Sequence, residues 1–516
     1  MMALAKKYYW ILLLLPALAG LAIDLYLTRN GAGITGDGVW YIQGAENILG
    51  GHGFSLLRGD GYLPITEFPS FYSIVLAGLG IFGGSIYAIG RYLGAVLLAV
   101  NIFLVGWMIF RMSRSAGWAL AGSLLVLLST STLVAHTWIL TEALYITLTL
   151  ACLGCALLYL ENGRFVALAV GGLVAGLAIV TRYAGVALLA FCCLSLLFFG
   201  RGGWKKRLLQ AAAVGLIGLL PVGIWVLRNA LLGLDLAGRT GIAVRMPPTE
   251  NFVTFFATLW DWFYPDKTSL TKLPRLAILA ITLLGLCVPL FFALFKPGRI
   301  NRFRHPRLAQ FLVALTLADV IYVAVVFLSI VLSLAGSPFN AEHTAIGRYL
   351  IPAFVVFAIW LSLALFLWVE LLGPRKVLKA LPVVFVLYLV GLYLVNFNLF
   401  RTPPYMGYPQ DALQQPELVT VLRTIAASQP IVTNNYEEVW FLSGRPVYSI
   451  PGFENDLTGI PNPELPLLMQ PVTAAIDRGA LVVIQRSTPD EKNFFDPLLA
   501  TLRVVATYGQ FTFYEK

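Results

Sequence analysis

Charge is what this sequence lacks most. Only 12% of its 516 residues are Asp, Glu, Lys or Arg, against 59% hydrophobic. A soluble globular chain carries about 25% charged residues, so this chain must sit in lipid for most of its length. Cysteine is scarce. The five are Cys152, Cys155, Cys192, Cys193 and Cys287, all inside apolar runs. Cys152 and Cys155 have redox-pair spacing but no polar flank, so they read as packing residues. The polar regions hold no cysteine, which excludes a disulfide framework there. His52, His136 and His343 do not fall at metal-ligand spacing. There is no P-loop and no GxGxxG after a strand, so no nucleotide site is visible. No Asn-x-Ser/Thr sequon occurs, which fits a prokaryotic source. The net charge of +10 could suggest nucleic acid. The basic residues sit between apolar runs, however, and read as topology signals instead.

What is present is a series of apolar runs. Eleven are long enough to cross a bilayer at about 20 residues each: 8–27, 86–110, 117–136, 142–160, 165–182, 184–200, 208–228, 275–295, 308–335, 349–371 and 380–400. The first could be a signal peptide, but it is long for one and reads as a first span. Residues 69–83 are shorter and read as interfacial or re-entrant. With the N-terminus cytoplasmic and 69–83 not spanning, every short basic cluster falls on one face. Those clusters include Lys6/Lys7, Arg111/Arg114, Lys205/Lys206/Arg207 and Arg375/Lys376/Lys379. The positive-inside rule prefers that arrangement. Segments 28–85, 137–141, about 183, 229–274, 336–348 and 401–516 are then outside, and the expected location is the inner membrane of a cell.

Those outer segments hold the polar residues that topology does not explain. Asp37, Glu46, His52, Asp60 and Glu67 lie in the first. Glu142 stands at the mouth of a span, Arg182 and Arg228–Asn229 end spans, and Arg348 opens one. Each has a plainer reading. Asp37 could be a helix N-cap, Glu142 a first-turn acid, and the arginines could snorkel to headgroups. Asp24 and Asp319 lie within spans and read as interhelical hydrogen-bonding residues. Taken jointly, an acid facing several arginines suits transfer from a lipid phosphate. A carboxylate can take the proton of an acceptor hydroxyl, and arginines can hold a departing phosphate.

The stretch "GDGVWYIQGAENILGGHGF" resembles the first-loop motif of the GT-C superfamily of integral-membrane glycosyltransferases. The matching positions are Asp37, Tyr41, Ala45, Gly51, Gly53 and Phe54. "EFPSFYSIVLAGLGIFGG", "TEALY" at 141–145, "TRYAG" at 181–185, "PVGIWVLRN" at 221–229 and "GRYLIP" at 347–352 resemble further family positions in order. The similarity covers roughly residues 8–400 and leans toward the protein O-mannosyltransferase and lipid A aminoarabinose transferase branch. It implies a polytopic helical fold with interfacial helices in the first outer loop, a polyprenyl-phosphate sugar donor, and inverting transfer to a glycan, lipid or protein acceptor. Asp37 is then the base, and Arg182, Arg228 and Arg348 are candidates for the phosphate. Tyr41, His52 and Asn229 are candidates to support the sugar or acceptor. Many relatives have two adjacent acids where this chain has Asp37–Gly38. A second acid must come from Glu142, Glu67 or Asp60, and whether a divalent cation is needed stays open.

From about Arg401 the composition changes, with twelve Asp/Glu against eight Lys/Arg in 401–516. "PIVTNN", "RPVYSI", "GALVVIQR", "LRVVATY" and "QFTFYEK" read as strands, and "PELVTVLRTIAAS", "PLLMQPVTAAIDRG" and "DPLLATLR" as helices. This predicts a small extracytoplasmic α/β domain after a membrane module of residues 1–400. It reads either as a cap over the membrane part or as an acceptor-recognition unit. Two other functions fit less well. A flippase or transporter of a lipid-linked saccharide predicts polar residues through the membrane depth, and a non-catalytic assembly subunit places the function in the outer domain.

Overall fold

The computed structural model describes residues 2–66, 68–233, 249–262, 306–333, 343–371, 404–452, 462, 464–486 and 496–516, with scattered positions between 383 and 394. The run at 275–295, Cys287 and Glu67 lie outside the described residues.

The first half is a succession of helices: α1 (Met2–Leu27), α2 (Gly36–Leu49), α3 (Phe71–Gly80), α4 (Ile86–Ser113), α5 (Ala116–Leu128), α6 (Thr130–Thr137), α7 (Glu142–Asn162), α8 (Phe165–Ile179), α9 (Val186–Phe199) and α10 (Trp204–Leu231). Then follow α11 (Thr249–Asp261), α12 (Pro306–Ser333) and α13 (His343–Leu371). Among the described residues six helices are long and apolar enough to span, up to seven if the α5–α6 pair, bent by 61°, is one span. The runs at 165–182 and 184–200 form the shorter apolar helices α8 and α9. Residues 69–83 form only the ten-residue α3, too short to cross.

The helices sort themselves by burial. α13 is apolar on every side, and its spanning window is wholly buried. It is the central helix, packed by α4, α5, α7, α11 and α12. A helix apolar all round must find protein or lipid on each face. α10 illustrates the other solution, because it leaves Leu216, Leu220 and Ile224 exposed at the periphery, the side that lipid covers.

Between α2 and α3 the chain forms a hairpin, β1 (Ser55–Arg58) and β2 (Gly61–Pro64), antiparallel in register Ser55↔Pro64. Past residue 404 come α14 (Tyr408–Gln414), α15 (Pro416–Thr424), α16 (Tyr436–Ser443) and α17 (Leu465–Asp477) around one mixed sheet. Its strands are β3 (Ile431–Thr433), β4 (Tyr448–Ser449), β5 (Leu481–Gln485), β6 (Arg503–Tyr508) and β7 (Phe511–Glu515), in spatial order β4-β3-β5-β7-β6. The period-two alternation explains the layers. Ile431, Leu481, Val483, Phe511 and Phe513 face α15 and α16, while Val432, Val482, Ile484 and Tyr514 face α17.

Candidate functional site

Asp37 is placed by a short knot of backbone just before α2. Gly33 N–H donates to the Thr137 carbonyl and Ile139 N–H to the Gly33 carbonyl, both at 2.9 Å. On the other side Ile34 pairs with the 406–408 segment, through Ile34 N–H to Met406 O at 3.2 Å and Tyr408 N–H to Ile34 O at 3.3 Å. The strand-like knot therefore ties the start of α2 to the end of α6 and to the beginning of the C-terminal region. Two glycines permit it. A Cβ on Gly33 would lie 2.5 Å from the Trp138 ring, and one on Gly407, at φ +65°, 2.1 Å from the Ile34 carbonyl.

Thr35, not Asp37, occupies the N-cap, and its side chain makes no capping hydrogen bond. Asp37 is a first-turn residue whose carboxylate is free for other work. The stripe of Tyr41 and Ala45 is buried against α3, with Tyr41 meeting Tyr72 edge-on at 5.4 Å. Burial, reinforced by the Asp37 carboxylate, pushes the Tyr41 hydroxyl well above its usual range, so it serves as packing and as a neutral polar group.

Four charged residues converge at the ends of α2, α7, α8 and α13. Arg182 Nη1 and Arg348 Nε both sit 2.7 Å from Glu142 Oε1. Both arginines meet that oxygen as ion pairs and not as aligned hydrogen bonds, and neither Glu142 oxygen has a hydrogen-bond partner among the described residues. Arg348 Nη2 also reaches Asp37 Oδ2 at 3.3 Å. Arg182 donates to Thr141 Oγ1 at 3.1 Å. The Tyr349 ring lies beside both guanidiniums, 5.2 Å from Arg182 Cζ and 5.7 Å from Arg348 Cζ.

Exposure separates the two acids. The Glu142 side chain is 1% exposed and the Asp37 side chain 38%. Glu142 is the buried counter-ion that holds two arginines in place, and Asp37 is the open carboxylate. Two guanidiniums against one buried anion leave one positive charge facing Asp37. That arrangement can hold an anion next to a group able to accept a proton.

Beneath Glu142, His136 is fully enclosed. Its Nδ1 lies 2.7 Å from the Thr132 carbonyl, and its Nε2 lies 3.0 Å from Asn101 Nδ2. With Asn101 as donor, the ring is neutral with its proton on Nδ1. Asn101 in turn donates to the Ala143 carbonyl at 3.3 Å and accepts from Thr147 Oγ1 at 2.7 Å. This satisfied network fixes the first turn of α7, and with it Glu142.

The other candidates lie elsewhere. Arg228 spends its donors on the first loop: Nη1 on Ile65 O at 2.7 Å and on Asn229 Oδ1 at 2.8 Å, Nη2 on Phe54 O at 2.7 Å. It closes the base of the β1–β2 hairpin, and Asn229 is buried beside it. His52 stacks on Tyr62 at 3.8 Å. Asp60 is an exposed residue at the hairpin tip, where it accepts from the Tyr448 hydroxyl and, at 3.2 Å, from Arg478 Nη2. The Tyr448 hydroxyl, helped by Arg478, holds the Asp60 carboxyl below its usual range. Asp24 and Asp319 differ from expectation. Among the described residues both Asp24 oxygens and Asp319 Oδ1 have no hydrogen-bond partner, and the nearby Arg91 gives its donors to Thr28 Oγ1 and Leu25 O.

One neighbour of the site escaped sequence reasoning. Glu437, in the first turn of α16, accepts from Trp40 Nε1 on α2 at 2.9 Å. Its "YEEVW" context signals only a helix start.

No protein-family model matches the chain, and no curated protein matches it. The solved structures that match it include two that cover nearly its whole length. The ArnT structure from Cupriavidus metallidurans in the apo state is 15% identical over 99% of this chain and 98% of that one, with a TM-score of 0.58. The same protein bound to undecaprenyl phosphate is 16% identical over 98% of each chain, with a TM-score of 0.54. The chain thus shares the fold of the ArnT structures.

Proposed function

We propose that this protein is a membrane glycosyltransferase. It moves a sugar from a polyprenyl-phosphate donor to an acceptor hydroxyl on a glycan, lipid or protein, at the extracytoplasmic face. The observation that carries this reading is the open Asp37 carboxylate beside Arg348, itself anchored with Arg182 on buried Glu142. The fold shared with ArnT, a protein that binds undecaprenyl phosphate, supports the donor class.

Asp37 takes the proton from the acceptor hydroxyl as its oxygen attacks the anomeric carbon. The bond from that carbon to the phosphate oxygen breaks on the opposite side, so one displacement inverts the configuration. Arg348 and Arg182 neutralise the charge that builds on the leaving phosphate. Residues 1–400 form the membrane module, and 401–516 form an outer domain against the first loop.

The experiment is turnover of a labelled polyprenyl-phosphate sugar by the purified full chain in nanodiscs, with and without chelator. Sugar transfer that Asp37→Asn leaves unchanged sinks the mechanism. The transporter reading has one observation behind it: among the described residues, both Asp24 oxygens and Asp319 Oδ1, inside the helices, have no hydrogen-bond partner. Passage of the labelled lipid across vesicles, without transfer, would favour it.

A further inference from the structure

The C-terminal region reaches the Asp37 helix through three adjacent contacts. Trp40 Nε1 donates to Glu437 Oε1 at 2.9 Å. The Tyr436 hydroxyl lies 2.9 Å from Gln43 Oε1 and 2.8 Å from the Leu57 carbonyl, with one proton to serve either. The Arg58 guanidinium lies over both the Trp40 ring, at 5.6 Å, and the Tyr436 ring, at 4.9 Å. The Glu437 side chain also packs on the very start of α2, since a Cβ on Gly36 would lie 3.5 Å from its Cγ.

These contacts fall where α2 is least secured. Thr35 gives it no side-chain cap, so the first-turn N–H groups around Asp37 have no local acceptor of that kind. Trp40 stands one turn from Asp37, on the same side of the helix. Fixing Trp40 and the Gly36 end fixes the direction of the Asp37 side chain. The two acids of "YEEVW" divide the work. Glu438 turns back to its own helix start, accepting from Asn435 Nδ2 at 2.9 Å and from Gln485 Nε2 at 3.0 Å. Glu437 is left to point at α2. Tyr408 carries the same message, because its hydroxyl is pushed up by burial and then by Glu437, Glu438, Tyr405 and Asp37. Glu437 and Asp37 thus share a neighbour.

We infer that Glu437 is a positioning residue for Asp37, acting through its hydrogen bond with Trp40, so that the outer domain completes the active centre. This rests on the glycosyltransferase reading for its kinetic arm only. A misplacement of the reacting group of about 1 Å is worth up to about a hundredfold in rate.

The test compares Glu437→Ala, Glu437→Gln, Trp40→Phe and the Glu437→Ala/Trp40→Phe pair in the full chain. Hydrogen exchange over residues 36–49 is expected to quicken several-fold in Glu437→Ala and Trp40→Phe. Their kcat is expected to fall about tenfold or more with donor KM nearly unchanged. Glu437→Gln, which keeps an acceptor for the indole, restores both readouts. The double variant is no worse than either single one. Unchanged exchange over 36–49 in Glu437→Ala overturns the inference, as does a double variant whose losses multiply or a Glu437→Gln that restores nothing. If the wild type transfers no sugar, the functional reading fails while the exchange arm still decides this one.

Discussion

Arg348 reaches Asp37 at 3.3 Å, from Nη2 to Oδ2, across 311 positions of sequence. The contact is long and half open, while the same guanidinium sits 2.7 Å from buried Glu142. Arg348 therefore belongs to Glu142 first and only leans on Asp37. A base must be able to leave its cation when it takes a proton, and this asymmetry allows it.

Asp37→Asn and Glu142→Gln should separate these roles. Asp37→Asn keeps the fold and the affinity for undecaprenyl phosphate but lowers kcat about 10²–10⁴-fold, the usual worth of a general base. Glu142→Gln leaves two guanidiniums without their buried anion. Breaking such a pair costs about 3–5 kcal/mol, so its unfolding temperature drops along with its turnover. A Glu142→Gln protein as stable as wild type would contradict this assignment.

Arg228 holds the hairpin by two carbonyls, Phe54 O and Ile65 O, with one planar fork. A lysine offers a single point of charge and cannot span both. Arg228→Lys should therefore behave almost like Arg228→Ala. Charged hydrogen bonds of this kind are worth about 1.5–3 kcal/mol each. Hydrogen exchange across 54–65 should quicken in both variants, whereas protection kept in Arg228→Lys would place the residue's importance elsewhere.

The sheet region should lose stability as pH rises. Burial pushes the Glu438 carboxyl up to about 7; Asp411 adds to this, and hydrogen bonds from Gln485 and Asn435 oppose it. The folded chain keeps this proton at a pH where the unfolded chain has shed it. The stabilisation is thus complete below about 4.5 and lost as pH climbs to about 7. Unfolding temperature measured from pH 5 to pH 8 should fall in the wild type and fall less in Glu438→Gln. Parallel curves for the two proteins would remove Glu438 as the cause.

Local signals made much of this fold readable. Apolar runs placed α1, α4, α7, α10, α12 and α13, and short apolar and β-branched stretches placed β3 to β7. The first-loop resemblance implied helices here, and α2 and α3 are found. The signal failed where meaning came from contact across the chain. "SLLRGDGYLP" shows little alternation, yet it is a hairpin because Asn47, Gln43 and Arg228 satisfy its backbone. Arg228 looked like a phosphate ligand because its lone charge at a span end says nothing about the loop carbonyls above it. Glu437 acquires its role only through Trp40, 397 positions away, and no pattern around residue 437 could announce that.

Asp60 offers the sharpest check on which acids matter. By sequence it was as good a second acid as Glu142. In the structure it sits at the hairpin tip with its side chain 76% exposed, paired with Arg478 at 3.2 Å and touched by the Tyr448 hydroxyl. Exposed ion pairs contribute little, because water screens the charges and both side chains lose freedom. No described contact joins Asp60 to Asp37, Glu142, Arg182 or Arg348, so its charge has no route to the reacting atoms. Asp60→Asn should leave the unfolding temperature unmoved and kcat within about twofold, since distant surface changes are near neutral. The same assay that registers Asp37→Asn as a collapse should barely register Asp60→Asn. A large loss of kcat there would mean that the hairpin tip, and not the buried Glu142 cluster, supplies the second acid.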